Sequence, residues 1–107
     1  MRTLMKVSIP VEGGNQSIKS GRMSEILEKA LATLRPEAAY FYPEHGRRTA
    51  LIVFDLKEPA DLPVVTEPFF MGLNAEIETY PCMNADDVKA GLSRIKASER
   101  EPVGTRR

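Results

Sequence analysis

Apolar and polar residues alternate in several parts of the chain, as they do in strands that bury one face. Every second residue of 3–9 can face a core, which predicts a first strand ended by Pro10. Two further β-rich runs, Ala38–Tyr42 and Thr49–Leu56, flank the turn residues of Pro43–Arg47. These two runs predict a β-hairpin closed by a five-residue loop.

Elsewhere the apolar residues recur at intervals of three and four, the period of an amphipathic helix. This period predicts a first helix across 18–34 with Gly21 inside it, close to the sheet. A second helix is predicted across 62–73, where Pro68 must kink the helix or begin it anew. A third helix is predicted after Asn84, which has the side chain of an N-cap residue.

The stretch PVEGGNQSIKSGR, which precedes the first predicted helix, has the composition of a phosphate-binding loop. A P-loop places a lysine directly after its last glycine, whereas here Gly21 is followed by Arg22. We therefore interpret the adjacent glycines at 13 and 14 as a strand-to-helix turn, with Asn15 or Ser17 as the N-cap. A nucleotide site is not expected.

The alternating segment NAEIETYP adds a fourth strand, so the predicted order of elements is β-α-β-β-α-β-α. The first six elements of this order spell an α+β fold, the ferredoxin-like split βαβ arrangement. It has a four-stranded antiparallel sheet with two helices packed on one face, and here a C-terminal third helix follows. We expect residues 1–98 to form this single domain and 99–107 to form a flexible basic tail.

The predicted hairpin is apolar or aromatic on both sides of its pleat, in Ala38–Tyr42 and again in Ala50–Phe54. A sheet covered by helices on one face should present polar residues on the other. Burial of the second face therefore requires another surface, and a second copy of the chain can supply it. The sequence predicts a homodimer in which two sheets pack face to face as a dimeric α+β barrel.

Three segments, KVSIPVEGGNQSIKSGRM, LRPEAAYFYPEHGRRTALIVFDL and EPFFMGLNAEIETYPCMNADDV, together resemble a bacterial family of small uncharacterised proteins in the dimeric α+β barrel superfamily. The resemblance covers about residues 5–92 and includes no catalytic signature. Better-known members of the superfamily include cofactor-free monooxygenases of polyketide pathways, muconolactone isomerase-like enzymes and haem-degrading or haem-peroxidase relatives. The resemblance implies a ligand cleft between the sheet and the helices.

Composition and charge exclude several classes of protein. Lys+Arg and Asp+Glu both number 15, so the formal net charge is zero and no basic surface for nucleic acid or anionic membrane is indicated. Cys82 is the single cysteine, and His45, the single histidine, falls in the predicted hairpin turn, which argues against haem ligation. We expect a cytoplasmic protein with no cofactor, no metal, no nucleic-acid partner and no membrane association.

The hairpin also offers candidate ligand-binding residues. With a five-residue loop, Tyr42 lies opposite Arg48. The residues that then share one face are Tyr40, Tyr42, Arg48, Ile52 and Phe54. Two phenols and a guanidinium on an apolar surface can orient an anionic or aromatic ligand. The same residue types are enriched at protein interfaces, so a dimer interface is the alternative interpretation of this face.

Glu67 is the carboxylate whose neighbours, in VVTEPFF, are mostly apolar. We predict that it lies at the mouth of the principal cavity with its side chain directed inward, where it could act as a general base. Two alternatives are an ion pair with Arg48, which would make Glu67 a structural anchor, and a charge at the start of a helix that begins anew at Pro68. Phe69 is a candidate to line the same cleft, and Asn15 is a candidate to hold an anionic group at a helix N-terminus.

Two classes of function follow from these residues. The first is a small-molecule-binding dimer without chemistry. The alternative is a cofactor-free monooxygenase or isomerase that acts on a small hydrophobic or aromatic acid, with Glu67 as the proton acceptor. The sequence offers no cleft histidine, no metal cluster and no activated nucleophile, which favours the first class.

Overall fold

The computed structural model describes residues 1–99 and is of the α+β class. Its elements are β1 (Arg2–Ile9), α1 (Val11–Ser20), α2 (Arg22–Leu34), β2 (Ala38–Glu44), β3 (Arg47–Asp55), α3 (Asp61–Leu73), β4 (Glu76–Pro81) and α4 (Ala85–Glu99). The predicted α+β class and the four-stranded antiparallel sheet are confirmed. Of the predicted tail 99–107, residue 99 is the last of α4 and the others lie outside the described residues.

The four strands form one sheet in the order β2-β3-β1-β4, and each neighbouring pair is antiparallel. Because side chains alternate across a strand, odd-numbered residues of β1 and their partners on β3 point to one face, which we call the covered face. Helices α2 and α3 pack on it through Met23 and Phe69. The side chains that are fully buried there are Phe69, Met5, Ile52, Leu73 and Val7. Burial of each such side chain contributes about 1.5–3 kcal/mol.

The opposite side of the sheet, the open face, consists of the even-numbered residues of β1 and their partners. Its centre is half-buried and contains Leu4, Leu51 and Val53. Tyr40 at one edge and Tyr80 at the other are 66% and 47% exposed. Helix α4 has no buried residue, so it does not cover this face.

The glycine-rich stretch is helical rather than a loop. Helix α1 starts directly after Pro10 and includes Gly13 and Gly14 in its first turns. The side chain of Ser17 is buried, and its hydroxyl donates a hydrogen bond to the carbonyl of Gly13 at 2.9 Å. The predicted strand-to-helix turn, with Asn15 or Ser17 as the N-cap, is therefore wrong. The fixed φ of Pro10, −57°, suits the entry to a helix.

Gly21 separates α1 from α2, where the sequence predicts one continuous helix. Its φ is 81°, in the left-handed region, and its N–H donates to the carbonyl of Ile18 at 3.2 Å. A Cβ at Gly21 would meet no atom within 4 Å, so the predicted close approach to the sheet is also wrong. One glycine that does permit a close approach is Gly72 of α3, where a Cβ would collide with Ile26 of α2.

The hairpin turn is shorter than predicted, which changes the pairing of its strands. Strands β2 and β3 are joined by His45 and Gly46, with φ of 52° and 74°. A two-residue turn with two positive φ values matches the twist of the strands that it joins. Tyr42 consequently pairs with Thr49, not with Arg48. A shift of one residue moves a side chain to the other face of a sheet.

Apart from Pro63 in the first turn of α3, where proline is tolerated, three prolines lie inside regular elements. Helix α3 continues through Pro68, and the carbonyl that loses its donor belongs to Val64, which is 62% exposed and can bond to water. Pro43 lies in β2 and Pro81 in β4, the two strands at the edges of the sheet. Proline is tolerated in edge strands because they lack a neighbour on one side.

Helix α4 is fixed to the sheet by its first turn. As predicted, Asn84 caps it: its side chain accepts from the N–H of Asp87 at 2.9 Å, and Asp87 accepts from the N–H of Asn84 at 3.0 Å. The carboxylate of Asp87 also accepts from Arg2 at 2.8 Å. Within residues 1–99, neither α4 nor any other helix combines the length and the hydropathy of a membrane-spanning segment.

Candidate ligand-binding site

A cavity of about 330 Å³ lies between the covered face of the sheet and the helices α2 and α3. We call it the sheet cavity. The apolar residues that line it are Val7, Ile9, Met23, Leu27, Phe41, Ala50 and Phe69. Ligand pockets of proteins have volumes in this range and are mostly apolar with a few placed polar groups.

Arg48 brings a charge to this apolar cavity. It lines the sheet cavity and pairs with Ile9 on the covered face. Its guanidinium is held by α1, because one Nη donates to the side-chain oxygen of Asn15 at 3.0 Å and the other to the carbonyl of Val11 at 3.5 Å. Both acceptors are neutral, and no carboxylate of residues 1–99 forms an ion pair with Arg48. A guanidinium has five N–H donors, so donors remain for a ligand.

Gly14 makes room for this arrangement. A Cβ at Gly14 would lie 2.6 Å from an Nη atom of Arg48 and 3.4 Å from a methyl group of Ile9. Any larger residue would push the guanidinium away from α1. One of the two adjacent glycines of the chain is therefore explained by the packing of Arg48 and not by a phosphate.

The sequence-predicted ligand residues are brought together only in part. Arg48 and Phe69 both line the sheet cavity, and Asn15 contacts Arg48 from the middle of α1, not from a helix N-terminus. The predicted sharing of one face by Tyr40, Tyr42 and Arg48 is wrong, because the pairing of the hairpin is shifted by one residue. Tyr40 lies on the open face, and Tyr42 borders the sheet cavity but directs its hydroxyl to the open face.

Glu67 does not lie where the sequence predicts it. It is exposed and lines neither the sheet cavity nor the groove described below. Its apolar neighbours mislead, because Val64 and Phe70 are themselves 62% and 40% exposed, while the buried side of α3 carries Phe69. Among residues 1–99, no carboxylate, histidine or cysteine lines the sheet cavity, so the cavity offers no ordinary proton acceptor.

A polar network joins three side chains on the open face across β3. Lys6 pairs with Glu44, and the hydroxyl of Tyr42 donates to the same carboxylate at 3.0 Å. The hydrogen bond that Lys6 donates to Glu44 lowers the pKa of Glu44 and raises the pKa of Lys6. Donation to Glu44 likewise raises the pKa of Tyr42. The network fixes the orientation of Tyr42 on this side of the sheet.

A second concave surface, the helix groove, has a volume of about 380 Å³ between α2 and α3. Its apolar floor includes Ile26 and Ala30, and the charged residues at its rim include Arg22 and Lys29. Both of these cations are exposed, so water already solvates them. The sheet cavity is the stronger candidate, although it is smaller, because its cation is held in place by neutral groups of α1.

In the described part of the chain, no three His, Cys, Asp or Glu side chains come together in a way that could hold a metal ion. No protein-family model, no curated protein and no solved structure matches the sequence. The resemblance to the dimeric α+β barrel superfamily therefore stays a prediction. The site is interpreted from its own geometry.

Proposed function

We propose that the chain is a small-molecule-binding protein whose sheet cavity takes a small hydrophobic or aromatic acid. The observation that supports this proposal is the placement of Arg48, a cation held by neutral oxygens of Asn15 and Val11 at an apolar cavity of about 330 Å³. Apolar walls favour a ring or an aliphatic chain, and a guanidinium favours a carboxylate.

Two physical terms would contribute to the affinity. The apolar part of the ligand would leave water for contacts with Phe69 and Phe41, at about 25 cal/mol per Å² of apolar surface. The carboxylate would accept from the remaining N–H groups of Arg48. A hydrogen bond to a charged group contributes about 1.5–3 kcal/mol. Asn15 orients the guanidinium before the ligand arrives, which lowers the cost of ordering it.

We further propose that the fold is the ferredoxin-like split βαβ arrangement and that it assembles as a homodimer of the dimeric α+β barrel type. The strand order β2-β3-β1-β4, with α2 and α3 packed on one face, supports the first part. The exposed Tyr40 and Tyr80 and the half-buried Leu51 and Val53 of the open face support the second. Sheets that pack face to face bury such residues between them.

The ligand proposal is tested with 2-naphthoate as the probe, titrated into the protein by calorimetry and by amide chemical shifts. We expect shifts at sheet-cavity residues and at least a tenfold weaker affinity in Arg48→Met, which keeps the aliphatic stem and removes the charge. Arg47→Met is the matched control. Arg47 directly precedes Arg48 in β3 but lies on the open face, where it is 3.6 Å from Glu76.

Equal affinity of Arg48→Met and Arg47→Met for 2-naphthoate would refute the role of Arg48. Binding of 2-naphthylmethanol, the uncharged counterpart, should be weaker than that of the acid and insensitive to either substitution. Chemical shifts that leave Phe69 and Ala50 unchanged at saturating 2-naphthoate would refute the sheet cavity as the site. Thermal unfolding of both variants verifies that they are folded.

The homodimer is tested by light scattering over a range of concentrations. The chain mass is 11.9 kDa, and we expect twice this mass at micromolar concentration. A single chain mass up to the highest soluble concentration would refute the dimer and leave the ligand proposal standing, because the sheet cavity lies within one chain.

A further inference from the structure

Helix α4 carries an apolar stripe that no other part of residues 1–99 buries. Val88, Leu92 and Ile95 recur at the spacing of one helix face and are 40%, 60% and 55% exposed. The helix has 15 residues, and none of them is buried. An isolated helix of this length is marginal in water, and most helices are stabilised by packing of an apolar face. Helix α4 therefore requires a surface that the rest of residues 1–99 does not supply.

The start of α4 fixes where that surface must be. Asp87 in its first turn accepts from Arg2, and Arg2 belongs to the open face, at the end of β1. The N–H of Cys82, just before the helix, donates to the carbonyl of Arg2 at 3.1 Å. The helix thus begins at a corner of the open face, the same face that the proposed homodimer buries.

The charges of α4 and of strand β4 are complementary. The segment 88–96 of α4 contains Lys89, Arg94 and Lys96 and no acidic residue. Strand β4 at the edge of the open face carries Glu76 and Glu78 and no cation. Glu76 is 3.6 Å from Arg47 with a largely exposed side chain, and Glu78 accepts from the hydroxyl of Tyr80.

The geometry points to one occupant for this edge: we propose that α4 of one copy packs on β4 of a second copy. In this arrangement the apolar stripe contacts the partner beside its exposed tyrosine on β4, and the lysines of α4 lie next to the two glutamates. A two-fold axis makes both contacts of the pair identical. The proposal rests on the homodimer of the proposed function and adds to it a strap formed by each α4.

The area available to the dimer supports this addition. Four strands of about seven residues present a face of roughly 23 Å by 19 Å, near 450 Å². A stable interface buries about 800 Å² on each partner, so the open face alone falls short. Helix α4 is about 22 Å long and about 10 Å wide, and its stripe adds roughly 200 Å². The two surfaces together approach the size of a stable interface.

Two charge-reversed proteins test whether α4 contacts β4 and whether the contact is between copies. The first carries Lys89→Glu and Lys96→Glu, and the second carries Glu76→Lys and Glu78→Lys. Each alone should dimerise at least tenfold more weakly than the original chain in sedimentation experiments, because like charges then face each other. Mixed in equal amounts, they should form a heterodimer, since both of its contacts again join opposite charges. A contact within one chain could not be restored by mixing.

Each outcome of this experiment decides the proposal. Reversed proteins that dimerise as tightly as the original chain would refute the strap and leave the homodimer intact. Weakened proteins that do not recover on mixing would also refute it. A monomeric original chain would refute both the strap and the homodimer. Circular dichroism establishes that each protein is folded before it is compared.

The apolar stripe is tested separately. Leu92→Asp should weaken dimerisation at least tenfold without changing 2-naphthoate binding, because α4 lines no part of the sheet cavity. Ala90→Asp is the matched control: it places the same charge two residues away, on the side of the helix opposite the stripe, and should leave the dimer unchanged. Equal dimerisation of the two variants would overturn the inference.

Discussion

The two faces of the sheet are formed by neighbouring residues of the same strands, yet different interactions hold them. On the covered face Met5, Val7 and Ile52 are fully buried among apolar side chains. On the open face Lys6, Glu44 and Tyr42 form a polar network beside exposed tyrosines. The covered face is complete within one chain, whereas the open face has the mixture of aromatic and charged residues that is typical of surfaces between chains.

The sharpest test of this difference compares two adjacent residues of β3. Ile52→Ala should lower the free energy of unfolding by about 2–4 kcal/mol, because it leaves a cavity in the core. Val53→Ala, on the open face, should cost less than about 1 kcal/mol in the dilute monomer. Urea unfolding at low protein concentration measures both values. Equal losses would mean that the open face is as well packed as the covered one.

The hairpin turn determines which residues belong to which face, so it provides the second test. Gly46 has a φ of 74°, and Gly46→Ala should lower the free energy of unfolding by about 1–2 kcal/mol. His45→Asn should raise it slightly, because Asn-Gly suits a turn with two positive φ values. Thermal unfolding measures both effects. A neutral Gly46→Ala variant would contradict the two-residue turn.

The adjacent glycines of α1 allow a comparison between a tight contact, that of Gly14 with Arg48, and an ordinary contact, that of Gly13 with the end of α3. Gly13→Ala should raise the free energy of unfolding by about 0.5–1 kcal/mol, because alanine favours a helix and its Cβ would make ordinary contacts, with the Leu73 carbonyl at 3.5 Å and the Asn74 Cβ at 4.0 Å. Gly14→Ala should lose that gain, since it displaces Arg48 from Asn15, and it should weaken 2-naphthoate binding. Equal gains in both variants would show that Arg48 is not held over Gly14.

The smallest expected effect is a pH dependence on the open face. The pKa of Glu44 is lowered, so its contribution is complete above its ordinary value of about 4.3 and is lost as the pH falls through the folded value. The pKa of Lys6 is raised, so its contribution is complete below about 10.4 and is lost as the pH rises through the folded value. Glu44→Gln should therefore be less stable than the original chain between about pH 5 and pH 10, and the difference should shrink outside this range.

Urea unfolding at stepped pH measures that difference. Lys6→Gln should show the same pH range with a smaller loss of stability, because Glu44 then keeps the hydrogen bond from Tyr42, and the double variant should lose little more than Glu44→Gln alone. A difference that is constant from pH 3 to pH 11 would exclude the ion pair as its cause.

The parts of the fold that depend on local patterns were predictable. The alternation of β1 identifies Met5 and Val7 as core residues, and Asn84 caps α4 through neighbours three residues away. The faces of β4 also follow from its alternation, with Ile77 half-buried and Glu76 and Glu78 exposed. In these segments the structure depends on residues that are close together in the chain, so the sequence pattern is sufficient to predict it.

The parts that depend on distant partners were not predictable. His45 adopts a φ of 52°, which few residues other than glycine favour, and a reading of residue preferences consequently lengthens the turn. That error of one residue separates Tyr40 and Tyr42 from Arg48. The hydrogen bond from Arg48 to Asn15 joins positions 33 apart in the chain, and no local sequence pattern at either residue predicts the other as its partner. The predicted place of Glu67 at a cavity is wrong for a related reason, because apolar neighbours in the sequence do not make a side chain buried in the fold.

The prolines of the two outer strands have a consequence for how copies of this chain can associate. The edge of a sheet exposes unpaired N–H and C=O groups and can recruit a strand from another molecule. Pro43 in β2 and Pro81 in β4 have no N–H to offer, so a recruited strand would meet an interruption at either edge. Growth by repeated strand addition, the route to fibrils, is thereby opposed on both sides of the sheet. The prolines thereby favour association through the faces of the sheet, which is the contact that the proposed homodimer uses.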